Sequence, residues 1–259
     1  VSALTPSAGP VAGGTRVRVS GGEFPAVATL RCGFYALGST VVARRLGSTQ
    51  LECVAPRALS VGMRLVEVTV NGQQFSSSGV SFTYRPAVAV SSVWPSWGVT
   101  EGGTSVTVLG NGFSLAAEED GSLRCRFNET VVVARYLNET LITCNTTAFA
   151  AGKVDVKVST NGVDYSAGSI VFEMVALTVG ALDPWLGPIG GGTVISLAAV
   201  AGLATPYDVL LSFECKFGRD LAHTSIHAAP LSSADESNVF LCASPAGLGT
   251  GWVRVQLLS

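Results

Sequence analysis

The chain has 259 residues, 47% of them hydrophobic and only 13% charged, with a net charge of −2. That balance excludes a disordered chain, and the absence of any basic run excludes an electrostatic footprint for nucleic acid or an anionic membrane. Thirty glycines and eleven prolines imply many tight turns, and no apolar stretch approaches the roughly 20 residues that span a bilayer.

The N-terminus, Val1 to Thr5, lacks the basic-then-apolar layout of a signal peptide. The expectation is a removed signal or a chain that starts inside a longer protein. The pattern Pro-x-x-Gly-x-x-x-Gly-Gly-Thr then begins at Pro6, returns at Pro95 and again at Pro184, two equal intervals of 89 residues. Ten-residue patterns at one repeated spacing define an internal repeat.

Each Gly-Gly-Thr leads into a short alternating run: Arg16 to Val19, Ser105 to Val108, and Val194 to Leu197. Period-two alternation predicts a half-buried strand. An apolar-x-Cys-x-Phe strand follows, carrying Leu30, Cys32 and Phe34, then Leu123, Cys125 and Phe127, then Phe213, Cys215 and Phe217. Equal parity turns these side chains to the core and leaves Arg31, Arg124, Arg126, Glu214 and Lys216 to water. A second apolar-x-Cys strand carries Cys53, Cys144 and Cys242.

A glycine then opens a clean alternating strand in each repeat (66–70, 154–158 and 253–257). In the first two repeats it runs into Asn71-Gly72 and Asn161-Gly162, where Asn-Gly predicts a type I′ hairpin turn. Closing strands follow at 80–84 and 170–172. The elements predict an all-β chain of three tandem immunoglobulin-like sandwiches over 1–86, 87–176 and 177–259, with no helical periodicity of any length. Counting nine residues from Gly251 reaches one position past the last residue, so the third sandwich is expected to lack its last strand. A fragment of a longer chain explains that; a strand donated by another chain is the alternative.

These motifs together resemble the IPT/TIG domain family, the immunoglobulin-like modules of plexins, Met-type receptors and fibrocystin and its relatives. The resemblance covers essentially the whole chain and implies the sandwich fold; function depends on sites rather than fold. The Cys-x-Phe-Gly form is kept only at Cys215 to Gly218, and Cys32-Gly33-Phe34-Tyr35 departs from it. The third repeat also carries a long insertion, Arg219 to Val239.

Two cysteines per repeat on inward-facing strands argue for disulfides Cys32–Cys53, Cys125–Cys144 and Cys215–Cys242, against six buried thiols as the alternative. Sequons at Asn128, Asn138 and Asn145 predict N-linked glycans on one flank of the second repeat. Both features predict an extracellular or cell-surface protein of the secretory pathway.

No catalytic motif is present. His223 and His227 have the spacing of a zinc-binding helix but lack its glutamate, and surface loop histidines are the simpler reading. Glu118-Glu119-Asp120 lacks the alternating oxygens of a calcium loop and reads as solvated. No metal, cofactor or catalytic residue is expected. Trp97 and Trp185 sit beside the predicted junctions, as partner anchors or as inter-domain packing. Junctions without a Gly/Ser tether predict a semi-rigid rod. The functional expectation is a non-catalytic structural or adhesive segment that binds a protein partner or itself. The alternative is the spacer of a receptor ectodomain. Neither nucleic acid binding nor membrane insertion by this segment is expected.

Overall fold

The computed structural model describes residues 1–35, 39–176, 178–200, 213–217, 225–230, 239–246 and 255–258. The chain forms two compact units, one of Val1–Trp94, Val106–Cys144 and Asp155–Val171, the other of Pro95–Ser105, Asn145–Val154 and Phe172–Ser259.

The first unit begins with the first repeat. Its strands are β1 (Ala3–Thr5), β2 (Ala8–Pro10), β3 (Arg16–Ser20), β4 (Arg31–Phe34), β5 (Ser39–Val42), β6 (Arg44–Arg45), β7 (Gln50–Val54), β8 (Gly62–Thr69) and β9 (Ser81–Arg85). They form a four-stranded sheet in the order β1-β3-β7-β6 and a five-stranded sheet in the order β2-β9-β8-β4-β5. Between the sheets lie Val17, Val19, Leu30, Cys32, Phe34, Leu51, Cys53, Val66, Phe82 and Tyr84, each at most 1% exposed. The alternation read from the sequence is the one observed, because only one parity can face the core. Cys32 on β4 is bonded to Cys53 on β7, which ties one sheet to the other.

The recurring glycine motif has a specific task. The chain pairs β1 antiparallel with β3, then crosses to pair β2 parallel with β9. At the crossing, a Cβ on Gly9 would lie 2.3 Å from Thr15 Oγ1 and 2.8 Å from Phe82 Cζ. Gly98 stands in the same relation to Thr104 and Phe172, and Gly187 to Thr193. The next two glycines have φ of +75° and +91° at Gly13 and Gly14, and Gly102, Gly103, Gly191 and Gly192 repeat this. Gly14 N–H donates to Ala55 O and Ala55 N–H to Thr15 O; Thr146 and Ser244 take the part of Ala55 in the other two copies.

The rest of the first unit belongs to the second repeat: β10 (Ala89–Trp94), β13 (Arg124–Phe127), β14 (Thr130–Asn138), and most of β12 (Ser105–Asn111), β15 (Leu141–Asn145) and β16 (Gly152–Ser159). The strand β14 pairs first with β13 and then with β15, so one strand spans what β5 and β6 divide in the first repeat. Cys125 and Cys144 are bonded across this crossing. One helical turn, α1 (Leu115–Glu119), interrupts the all-β pattern. It buries only Ala117, so it left no periodicity in the sequence.

In the second unit, β11 (Trp97–Val99) pairs parallel with β17 (Ile170–Val175). The remaining strands are β18 (Thr178–Asp183), β19 (Val194–Val200), β20 (Phe213–Phe217), β21 (Ser225–Pro230), β22 (Val239–Ala243) and β23 (Val255–Leu258), in one sheet ordered β18-β19-β22-β21-β20-β23. The insertion of the third repeat therefore contains a strand. His227 lies on it, opposite Glu214, and not in a loop; His223 lies outside the described residues.

The Asn-Gly segments differ from expectation. A type I′ turn needs positive φ at both central residues. Gly72 and Gly162 have it, but among described non-glycine residues only Asn128 does. Asn71 Oδ1 instead accepts the N–H groups of Gln73 and Gln74, and Asn161 Oδ1 those of Val163 and Asp164. The side chain completes the turn that the backbone was expected to make.

A second surprise is Glu67, 4% exposed at a position where alternation points to water. The 76–79 segment folds over it. Its carboxylate accepts the N–H groups of Ser78 and Gly79 and the hydroxyls of Ser76 and Ser78. Burial alone would raise its pKa, but these donors outweigh burial and hold the carboxyl below its ordinary value of 4.5.

Two outcomes follow. Gly14→Ala, with open space at its Cβ, should cost about 1 kcal/mol of backbone strain. Gly13→Ala should cost severalfold more, because its Cβ meets the backbone at 2.6 Å; thermal unfolding separates the two. The lowered Glu67 pKa means its stabilisation is complete above pH 4.5 and is lost as pH falls through the folded value. Urea titrations from pH 6 to 3 should therefore show a steeper stability loss in the wild type than in Glu67→Gln.

Candidate functional site

Within the first unit, the feature with the densest polar chemistry is the seam where the first repeat meets the second. Tyr84-Arg85-Pro86 leads into the second repeat without a spacer. Arg85 ends β9, opposite Pro10, where the second repeat has Val175 opposite Val99. An arginine thus replaces an apolar residue at the end of the closing strand, and its side chain is 8% exposed.

A buried guanidinium must be paired, or its desolvation is uncompensated. Arg85 Nη2 lies 2.6 Å from Asp120 Oδ2. Its Nη1 donates to Ser122 Oγ at 3.2 Å and to the carbonyl of Thr160. Ser122 N–H donates to Asp120 Oδ1, and its hydroxyl approaches both Asp120 and Thr160 O. Asp120 is the residue after α1, and this helical turn presents it to Arg85. The acidic triplet is therefore not uniformly solvated. Burial opposes charge on Asp120, but Ser122 and Arg85 outweigh it and hold the carboxyl below the usual range.

A second cluster closes the other side of the seam. Thr15, fully buried, donates its hydroxyl to Asp164 Oδ2 at 2.5 Å. Asn161 Nδ2 donates to Ala8 O at 3.0 Å and to Asp164 Oδ2 at 2.8 Å. Thr15 belongs to the Gly-Gly-Thr of one repeat, and Asn161 and Asp164 to the Asn-Gly turn of the next. Both motifs were legible as turns. Their meeting was not, since 149 residues separate Thr15 from Asp164. The local signal was Arg85, a charge where the pattern calls for an apolar residue.

Beside this network lies a cavity of about 200 Å³ lined by residues 4–8 with Asp120, Ser122 and Asn161. It is smaller than the ~300 Å³ at which ligand pockets begin. Among the described residues no group of three His, Cys, Asp or Glu side chains could hold a metal ion.

The remaining sequence candidates are scattered. Asn128, Asn138 and Asn145 are all exposed. Asn138 Oδ1 accepts both the N–H and the hydroxyl of Thr140 within its own sequon, and Asn128 Oδ1 accepts Asp155 N–H. Trp97 is 7% exposed on β11, so it offers no surface anchor, whereas Trp185 is 67% exposed. Cys242 is disulfide-bonded.

Paired sheets crossed by a first strand, a disulfide between inward strands and a parallel closing pair define an immunoglobulin-like β-sandwich module. Paired cysteines in two successive modules place the chain in an oxidising extracellular or cell-surface setting. The IPT/TIG domain model matches residues 1–84 and 89–174, and the chain belongs to that family. Human plexin-A3 is 25% identical over 151 residues, 58% of this chain and 8% of the plexin. Human fibrocystin-L is 33% identical over 167 residues, 62% of this chain and 4% of that protein. The solved extracellular region of plexin A4 aligns with 96% of this chain and 21% of its own, at 18% identity and a TM-score of 0.48. The chain thus spans less than a tenth of the curated relatives.

If the seam is a coupled unit, Arg85→Ala and Asp120→Ala should each cost about 1–2 kcal/mol, Asp120 being 41% exposed and partly screened. The double variant should cost clearly less than the sum in equilibrium unfolding.

Proposed function

We propose that this segment is a non-catalytic structural or adhesive part of a larger cell-surface or matrix glycoprotein, acting as a semi-rigid rod that presents protein-interaction surfaces. The observation that carries the reading is the seam. Buried, directional hydrogen bonds between Arg85, Asp120, Ser122 and Thr160 resist hinge motion more than a solvated linker would. Such a seam serves presentation, and turnover has no use for it.

Three further expectations belong to this proposal. Residues 177–259 form a third repeat with a Cys215–Cys242 disulfide. Asn128, Asn138 and Asn145 carry N-linked glycans, which their exposure supports. The partner is a protein or a second copy, and not nucleic acid.

The alternative, a spacer in a receptor ectodomain that binds a separate ligand, is favoured by the plexin relatives. Sedimentation velocity over a wide concentration range separates the two. An adhesive segment should form concentration-dependent oligomers. A strict monomer would remove self-assembly through this segment and leave the spacer.

A further inference from the structure

The net charge of −2 conceals a division. Residues 1–86 hold eight arginines, no lysine and three glutamates, a net of +5. Residues 87–176 hold five basic and nine acidic residues, and 177–259 three and six, for −4 and −3.

The sheet register concentrates part of the first charge. Arg16 and Arg18 alternate outward on β3, while Val17 and Val19 fill the core. Arg18 lies opposite Glu52 of β7, which lies opposite Arg44 of β6, giving one outward row across three strands. Strand spacing sets Arg18 and Arg44 about 10 Å apart, with Arg16 about 7 Å along β3. Glu52 is the face's acid: it lies 3.2 Å from Arg16 and 3.6 Å from Arg44, whose side chains remain 70% and 74% exposed. One carboxylate among three guanidinium groups leaves the face at +2.

The same positions in the second repeat are Ser105, Thr107 and Arg135, with Thr143 in place of Glu52 and the sequon residue Asn145 in place of Val54. One framework therefore carries an arginine face in one copy and a nearly neutral face in the next.

We infer that the outer face of the β1-β3-β7-β6 sheet in the first repeat binds an extended sulfated polysaccharide. Guanidinium groups pair with tetrahedral oxyanions through several hydrogen bonds at once. The face is a sheet surface without the buried aromatic anchors that dominate protein interfaces, since its other outward residues are Ala3, Thr5, Ser20, Gln50 and Val54. Such a surface favours a partner held by charge along its length, with strong salt dependence. The inference rests on the extracellular placement and gives the proposed scaffold a matrix ligand.

The test uses the whole chain on immobilised heparin, comparing two variants of equal net charge. Arg16→Ser/Arg18→Thr copies the second repeat; Arg31→Ser/Arg57→Ser removes arginines outside the face. The wild type should bind in a salt-sensitive manner. The face variant should weaken about tenfold and the control about twofold or less, with both keeping the wild-type melting temperature. No wild-type binding, or equal loss in both variants, overturns the proposal. So does salt-sensitive self-association, without heparin, that the face variant abolishes, because the partner is then a second copy. Sedimentation reads self-assembly and the heparin surface reads the arginine face, so failure of either reading is distinguishable from failure of the other.

Discussion

The first sandwich closes around a contact that only glycine permits. At Gly9 the backbone sits against Thr15 Oγ1 and the ring of Phe82, with no room for a methyl group. That closeness lets the first strand leave β3 and reach β9 within a few residues. Both sheets gain an edge strand from one segment, and Leu4 and Ala8 enter the interior from it. The Gly-Gly pair then reverses the chain at positive φ, and Thr15 is delivered buried between the sheets. Without the crossing, neither the disulfided core nor the seam beyond it would have its geometry.

The seam reuses these parts. Thr15, already fixed by the crossing, reaches Asp164, which Asn161 positions through its own turn. Arg85 leaves the end of β9 with no linker to relax into, and α1 brings Asp120 to meet it. An apolar seam would tolerate sliding, since dispersion is not directional. A network of charge-assisted hydrogen bonds defines one arrangement, and a displaced Arg85 would be left buried without its partners.

Most of the fold was legible because it follows from parity. Leu30, Cys32 and Phe34, and Leu123, Cys125 and Phe127, are buried together, and alternation is all that is needed to say so. The failures have two causes: at Glu67 and Asp120 another segment of the chain covers or pairs the side chain, and at the Asn-Gly turns a side chain replaces the backbone. Glu67 has outward parity but is covered by residues 76–79, so an acid that alternation alone would leave to water is buried with four donor groups. Asn71 and Asn161 were read for backbone propensity, yet their side chains make the turn. Asp120 was read among its acidic neighbours, and its partner lies 35 residues away.

Net charge fails for a related reason. A sum over 259 residues weights every position equally, whereas a strand sorts its residues onto two faces and a sheet places neighbouring strands beside one another. Arg16, Arg18 and Arg44 form no run, and no window of sequence collects them, but one register row and its neighbour do. The tandem sandwich is suited to such differentiation. Its interior is set by Gly, Thr, Cys and Phe positions common to the copies, so outward residues diverge without cost to the core. Surface identity in this chain therefore belongs to the individual repeat.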